Sequence, residues 1–282
     1  MTQIQQINGI DVFIEGCGEE TIIMVHGWPD TYRLWDPQVE YLKSHYRCVR
    51  FSLPGYEKSQ PRKYHDLKAI ISFIDNVVDA VNDGKPVTLL LHDWGCVFGY
   101  QYYMNHQEKV KRIIGVDVGD AGSPDMKLST KAKMVLVSYQ LWLMAAWNIG
   151  GKVGDWMTRK VASLFNAPAS PELIHSGMTY SYHWRWSSVF MRRPLGTVPI
   201  DIQVPLLFIF GGNKVGNFHS QRWQDEMDAI EGNKVVELPT HHWVMIEQPE
   251  SFNQIVFNWL NGADKEMEVE VNANQEQNGE LV

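Results

Sequence analysis

The stretch Leu89-Leu90-Leu91-His92-Asp93-Trp94-Gly95-Cys96 has the residue types and order to do chemistry. An apolar run stops at a carboxylate flanked by His92, Trp94 and Gly95. That layout reads as a strand, a sharp turn and the start of a helix, with Asp93 at the tip of the turn. In the G-x-S-x-G form of such an elbow the central residue is a serine. A carboxylate there suits displacement at saturated carbon, giving an alkyl-enzyme ester, better than attack on a carbonyl. The competing reading is that Asp93 only caps the helix. Two other segments bear on the choice. His26-Gly27-Trp28-Pro29 follows an apolar run, where a backbone N–H can face a developing oxyanion. Taken alone it is an ordinary turn. Thr240-His241-His242-Trp243 falls between the last apolar run and the closing helix, which puts His242 where a base comes last in chain order.

These residues need elements to hold them. Residues 4–14 alternate as a hairpin around Asn8-Gly9. Short apolar runs at 22–26, 46–53, 87–91, 111–118, 205–210 and 234–238 read as strands. Helical spacing covers 66–82 and 249–260. Strands alternating with helices predict an α/β architecture, a mostly parallel sheet covered on both faces. The alternation stops between Asp120 and about Ile200, a helical, aromatic stretch that reads as an inserted cap. The expected division is a core of residues 1–120 and 201–262, a helical cap of 121–200, and an acidic tail of 263–282. The tail carries six acids against one lysine, so it accounts for much of the net charge of −8 and is expected to be disordered.

The rest of the chain is only mildly acidic, and no basic stripe suggests a nucleic-acid partner. Cys17, Cys48 and Cys96 have no metal-ligand spacing, and the latter two read as reduced core thiols. Residues 1–4 contain neither a basic nor an apolar leader, and no apolar run approaches the ~18 residues that span a membrane. The expectation is a cytoplasmic protein with no metal and no cofactor.

Together, His26-Gly27-Trp28-Pro29, Pro54-Gly55-Tyr56 with Ser59, His92-Asp93-Trp94-Gly95 and His242-Trp243 resemble the epoxide hydrolase and haloalkane dehalogenase branch of the α/β-hydrolase superfamily. The resemblance runs over roughly residues 5–262. It implies an α/β-hydrolase fold and a two-step reaction on a small apolar electrophile. Asp93 would form an ester, His242 would activate water against it, and the backbone N–H groups of Trp28 and Trp94 would hold the oxyanion.

The chain departs from the pattern twice. Leu91 stands where the first elbow glycine is common. The family's acid often closes a G-x-x-D turn, but here Gly211-Gly212-Asn213-Lys214 puts a lysine in that place. Similarity to dehalogenases around Gln107-Glu108-Lys109-Val110 moves the acid to Asp117, with Asp120 as the alternative. For epoxide opening the resemblance implies two cap tyrosines. Tyr139 in Tyr139-Gln140-Leu141-Trp142 is one, and Tyr182 is preferred over Tyr180 as the second. Core packing is the competing reading for all three. A dehalogenase would need halide donors instead. Trp94 supplies one, but Trp28 replaces the usual asparagine, leaving Trp142, Trp147, Trp184 or Trp186 as substitutes. The readings carried forward are epoxide hydrolase, haloalkane dehalogenase, and a non-catalytic binder on the same fold.

Overall fold

The computed structural model describes residues 2–214 and 216–262, so the expectation for 263–282 lies outside the described residues. The runs Thr21–Val25, Val87–His92 and Leu206–Gly211 are buried at every position and form β3, β5 and β7. Such continuous apolar runs are what strands covered on both faces require. The hairpin forms β1 (Gln3–Ile7) and β2 (Ile10–Glu15), turning through Asn8 and Gly9, both at positive φ. β4 (Arg47–Phe51), β6 (Val110–Val116) and β8 (Lys234–Leu238) complete the set. Among the described residues these strands make one sheet in the order β1-β2-β4-β3-β5-β6-β7-β8. β2 pairs antiparallel with β1 and β4, and the remaining pairs are parallel. The chain order reverses around β3, whose neighbours are β4 and β5. In open sheets of this kind the crevice beyond the carboxyl ends at such a reversal receives ligands. His26 and Asp93 both lie there.

Helices cover both faces. α1 (Asp36–Leu42), α8 (Val244–Glu247) and α9 (Pro249–Asn261) pack on one side, against Ile22, Met24, Leu90 and Ile209. On the other lie α2 (Leu67–Val81), α3 (Trp94–Asn105) and Trp223 of α7 (Gln221–Asp228). α2 buries Ile70, Phe73, Ile74, Val77, Val78 and Val81, the stripe its spacing predicts, and the Asp66 side chain caps it by accepting from Ala69 N. Between β6 and β7 the chain forms α4 (Thr130–Ile149), α5 (Gly151–Leu164) and α6 (Tyr180–Phe190), with no strand among the described residues of that stretch. Among the described residues no helix is long and apolar enough to cross a membrane.

Two differences from the sequence reading have local causes. β6 stops at Val116, not Val118, because Asp117 takes φ 69, which a continuing strand cannot hold. α1 and α7 were not expected, since seven and eight residues carry too little periodicity. α1 is held from outside: Gln38 Nε2 donates to Met245 O and Asn253 Oδ1, both at 3.1 Å.

Candidate active site

Asp93 follows β5 and precedes α3 with φ 53 and ψ −122, an unusual conformation for a residue with a side chain. Its carboxylate makes no capping bond to α3, which removes the bland reading of this residue as a helix cap. Instead Oδ1 accepts from Trp28 N at 2.7 Å. A Cβ on Gly27 would collide with the Asp93 side chain and lie 2.5 Å from Trp94 N. Gly27, the Asp93 carboxylate and the Trp94 amide therefore share a space that only glycine leaves open.

The missing elbow glycine is compensated one turn into the next helix. A Cβ on Gly99 of α3 would come within 2.5 Å of Leu91 Cδ1 and 3.0 Å of Leu91 Cγ. The bulk that Leu91 adds to the strand is accommodated by the side chain that Gly99 lacks. His26 holds the neighbouring loop. Its Nδ1 donates to Gly27 O at 2.9 Å and its Nε2 accepts from Leu53 N at 2.9 Å, tying the Gly27–Pro29 turn to the start of the Pro54-Gly55-Tyr56 turn. Burial lowers the His26 pKa to about 4, so the ring is neutral.

His242 lies between two carboxylates. Its Nδ1 is 2.5 Å from Asp117 Oδ2, and its Nε2 is 3.5 Å from Asp93 Oδ2. Burial alone would lower its pKa, but the Asp117 charge and hydrogen bond, with Asp93 adding to them, raise it to about 9. His92 steadies the segment: its Nε2 donates to His242 O at 3.1 Å. His241 faces away, bonded to the Glu247 carboxylate.

Asp117 is fully buried. Its N–H donates to Ile209 O of β7, Oδ1 accepts from Gly211 N at 3.1 Å, and Lys214 Nζ pairs with that same oxygen. Burial raises its pKa, but Lys214 and His242 outweigh burial and leave it lowered. Asp120 is elsewhere, accepting from Ser220 N at 2.6 Å and Ser220 Oγ at 2.7 Å.

Above Asp93 opens a cavity of about 790 Å³, walled by both the sheet end and the helices between β6 and β7. Tyr139 of α4 and Tyr182 of α6 line it with Asp93 and Trp94. The Tyr182 ring stands edge-on to Trp28 at 5.7 Å and Trp94 at 5.3 Å, and lies 6.1 Å from Tyr139. Burial pushes both phenols well above their ordinary pKa, so both are neutral donors. Tyr180 does not join them. It packs against Tyr56, His65 and Trp147. Of the four tryptophans considered as halide donors, Trp184 lines the cavity. Trp142 Nε1 is bound to Met157 O and Trp186 Nε1 to Gln140 Oε1, while the Trp147 ring lies edge-on to Tyr180 and tilted against His183.

Three charged groups at the site escaped sequence reasoning. Asp30 is buried beside the centre and accepts from Trp243 Nε1 at 2.9 Å. Burial, with the Asp93 charge added, raises its pKa to about 7. Its signal was its place right after Pro29. Lys214 was noticed only as a missing acid. Arg185 of α6 lines the cavity with no motif to mark it.

The chain is similar to known proteins over different shares of its length. A cis-3-alkyl-4-alkyloxetan-2-one decarboxylase of Xanthomonas campestris is 26% identical over 160 residues, 54% of this chain and 48% of the relative. A Mycobacterium tuberculosis protein named "Probable oxidoreductase EphD" is 35% identical over 97 residues, 33% of this chain and 16% of the relative. The chain thus spans half or less of the length of these relatives. The epoxide hydrolase srdG of Neurospora crassa is 25% identical over 303 residues, 85% of this chain and 86% of the relative. Among solved structures, a variant epoxide hydrolase from Bacillus megaterium superposes with TM-score 0.69 at 19% identity, covering 92% of this chain and 100% of the other. At that identity the likeness is one of fold. A family model described as alpha/beta hydrolase fold matches residues 20–167, from β3 through the elbow and into the helices beyond β6. With that match spanning more than half of the chain, the chain belongs to the alpha/beta hydrolase fold family.

Proposed function

We propose that the chain is an epoxide hydrolase that works through an alkyl-enzyme ester on Asp93, with residues 121–200 acting as a cap over a core of 1–120 and 201–262. The observation that carries the reading is the line Asp117–His242–Asp93 beneath two neutral phenols. Hydrogen bonding joins its first two members, and Asp93 Oδ2 is 3.5 Å from the imidazole. In the first step an Asp93 oxygen attacks an epoxide carbon and the carbon–oxygen bond breaks. The alkoxide takes a proton from Tyr139 or Tyr182. In the second step His242 Nε2 takes a proton from water, and the hydroxide adds to the ester carbonyl. The oxyanion forms beside the N–H groups of Trp28 and Trp94. Collapse expels the diol alkoxide, which takes the proton from the imidazolium, and leaves Asp93 as a carboxylic acid, whose proton passes through solvent to replace the one the tyrosine gave up.

The electrostatics support this order. In the free protein two carboxylates favour the imidazolium. Once Asp93 is esterified its charge is gone, so His242 loses a proton more readily at the step that needs a base. Asp117 then stabilises the imidazolium that forms, as the acid does in a Ser-His-Asp triad.

Halide displacement is the second reading, favoured by the Trp28 indole N–H, which is buried with no partner among the described residues. A binder without chemistry is the third. One experiment separates them. His242→Gln, exposed to styrene oxide and to 1-bromohexane, should accumulate an ester on Asp93 with the epoxide, detected by intact-mass and peptide mass spectrometry. An adduct with the bromide alone transfers the proposal to the dehalogenase, and no adduct with either favours the binder.

A further inference from the structure

Lys214 occupies the place where the family motif expects the catalytic acid, yet its side chain is only 8% exposed and pairs with Asp117, which is fully buried. A buried lysine is costly unless a partner compensates it. We propose that Lys214 is a positioning residue, which clamps one oxygen of Asp117 and so commits the other to His242 while neutralising part of the carboxylate charge. The geometry divides the two oxygens cleanly: Oδ1 receives Lys214 Nζ and Gly211 N, and Oδ2 receives His242 Nδ1. Without the ammonium, the full Asp117 charge would act on the imidazole and hold its proton more tightly. The titratable groups facing His242 are Asp117, Asp93, Asp30 and His92, and those facing Lys214 are Asp117 and His219, with the ring of Phe218 at 5.9 Å. Lys214 is the cation paired with Asp117, so its removal raises the proton affinity of His242 by unmasking that acid.

The base role of His242 rests on the function proposed above, so the test needs no substrate. The His242 ring is titrated by NMR in the wild type and in Lys214→Met, Lys214→Gln and Lys214→Arg. Met and Gln should both move the midpoint upward by about one pH unit, and Arg should leave it near wild type. Gln keeps a donor toward Asp117 and serves if Met fails to fold. Superimposable curves for the wild type and the charge-removed variants overturn the proposal. So does an Arg shift as large as the neutral ones, because charge would then not be the cause. Absence of epoxide turnover would count against the function and not against Lys214.

A separate observation concerns the substrate. Two arginines line the cavity. Arg222 is engaged by Glu226 and Asp125, but the guanidinium of Arg185 has no ion pair or hydrogen bond among the described residues. It is half-buried on the cap-side wall, with Tyr139 as its electrostatic neighbour. Asp120, on the same cavity wall, is hydrogen-bonded to Ser220 and makes no ion pair with Arg185 among the described residues. We infer that Arg185 anchors a carboxylate, so that the substrate is an apolar electrophile with an acid group away from the reacting carbon. This rests on the epoxide hydrolase reading. The test compares kcat/KM for phenyl glycidyl ether and its para-carboxylate. The wild type should favour the carboxylate, and Arg185→Gln should reduce that preference at least tenfold, with Arg185→Lys retaining part of it. A wild-type preference at or below one overturns the inference. So does an equal fall for both substrates in Arg185→Gln, which would mean that Arg185 serves Tyr139. If neither epoxide is hydrolysed the function fails instead. Wild-type binding of the two corresponding diols, read by tryptophan fluorescence, then decides on Arg185 by whether the carboxylate binds more tightly.

Discussion

At the scale of single residues, Asp117 shows how a buried charge can be made tolerable. It receives Gly211 N, Lys214 and His242, so each of its oxygens is bonded and its charge is shared with two cationic groups. The proposed mechanism needs that charge only when His242 becomes an imidazolium, in the water-attack step. Asp117→Asn should therefore slow ester hydrolysis by two orders of magnitude or more, by analogy with a triad acid, and ester formation much less. Rapid-quench analysis of a single turnover resolves the two steps. Equal effects on both would remove Asp117 from the base step.

At the scale of elements, α3, α4 and α6 each carry a consequence. Leu91 and Gly99 are one packing unit shared by β5 and α3. Gly99→Ala should destabilise the protein by about 1–3 kcal/mol through overpacking, and adding Leu91→Gly should recover part of that loss. Urea melts of the double-mutant cycle would show it, and strictly additive changes would deny the contact. On α4 and α6, Tyr139→Phe and Tyr182→Phe should each lower epoxide turnover about a hundredfold or more, the scale of losing an oxyanion donor. Tyr180→Phe should leave turnover within a few-fold of wild type, since that ring packs against Tyr56 and Trp147, not into the cavity. Equal losses at Tyr180 and Tyr182 would contradict this assignment.

The whole molecule stores several neutral histidines in its interior. Burial lowers His26 to about 4, His92 to about 3 and His219 to about 4, from an ordinary 6.5. Between pH 6.5 and 4 the unfolded chain binds protons on these rings that the folded chain does not, so stability falls as pH falls. Asp30 opposes this. Its folded pKa near 7 exceeds its unfolded value, so its contribution is present at low pH and lost as pH rises through 7. Three histidines outweigh one carboxyl, and the net slope is on the order of 2–3 kcal/mol per pH unit. Urea midpoints should drop clearly from pH 6.5 to pH 4.5. A flat or rising midpoint would show that these rings are protonated in the folded state.

Much of this molecule is legible in one dimension. Apolar runs of strand length, the stripe on α2 and the turn at Asn8-Gly9 are local patterns, and local patterns survive in a sequence because each reports how a few neighbouring residues must sit. The elbow at Asp93 and the late position of His242 were readable for the same reason. Through-space pairing was not. Asp117 and Asp120 are three residues apart, and only the left-handed turn at Asp117 aims one at His242 and leaves the other to Ser220. Tyr180 and Tyr182 are two helical residues apart, about 200° around the axis, so one had to face away from the cavity. Which one depended on how α6 packs. Lys214 read as a missing acid until the fold set it against Asp117, 97 residues away in the chain. Charge compensation acts across distances that tertiary packing closes, and no spacing along the chain encodes them.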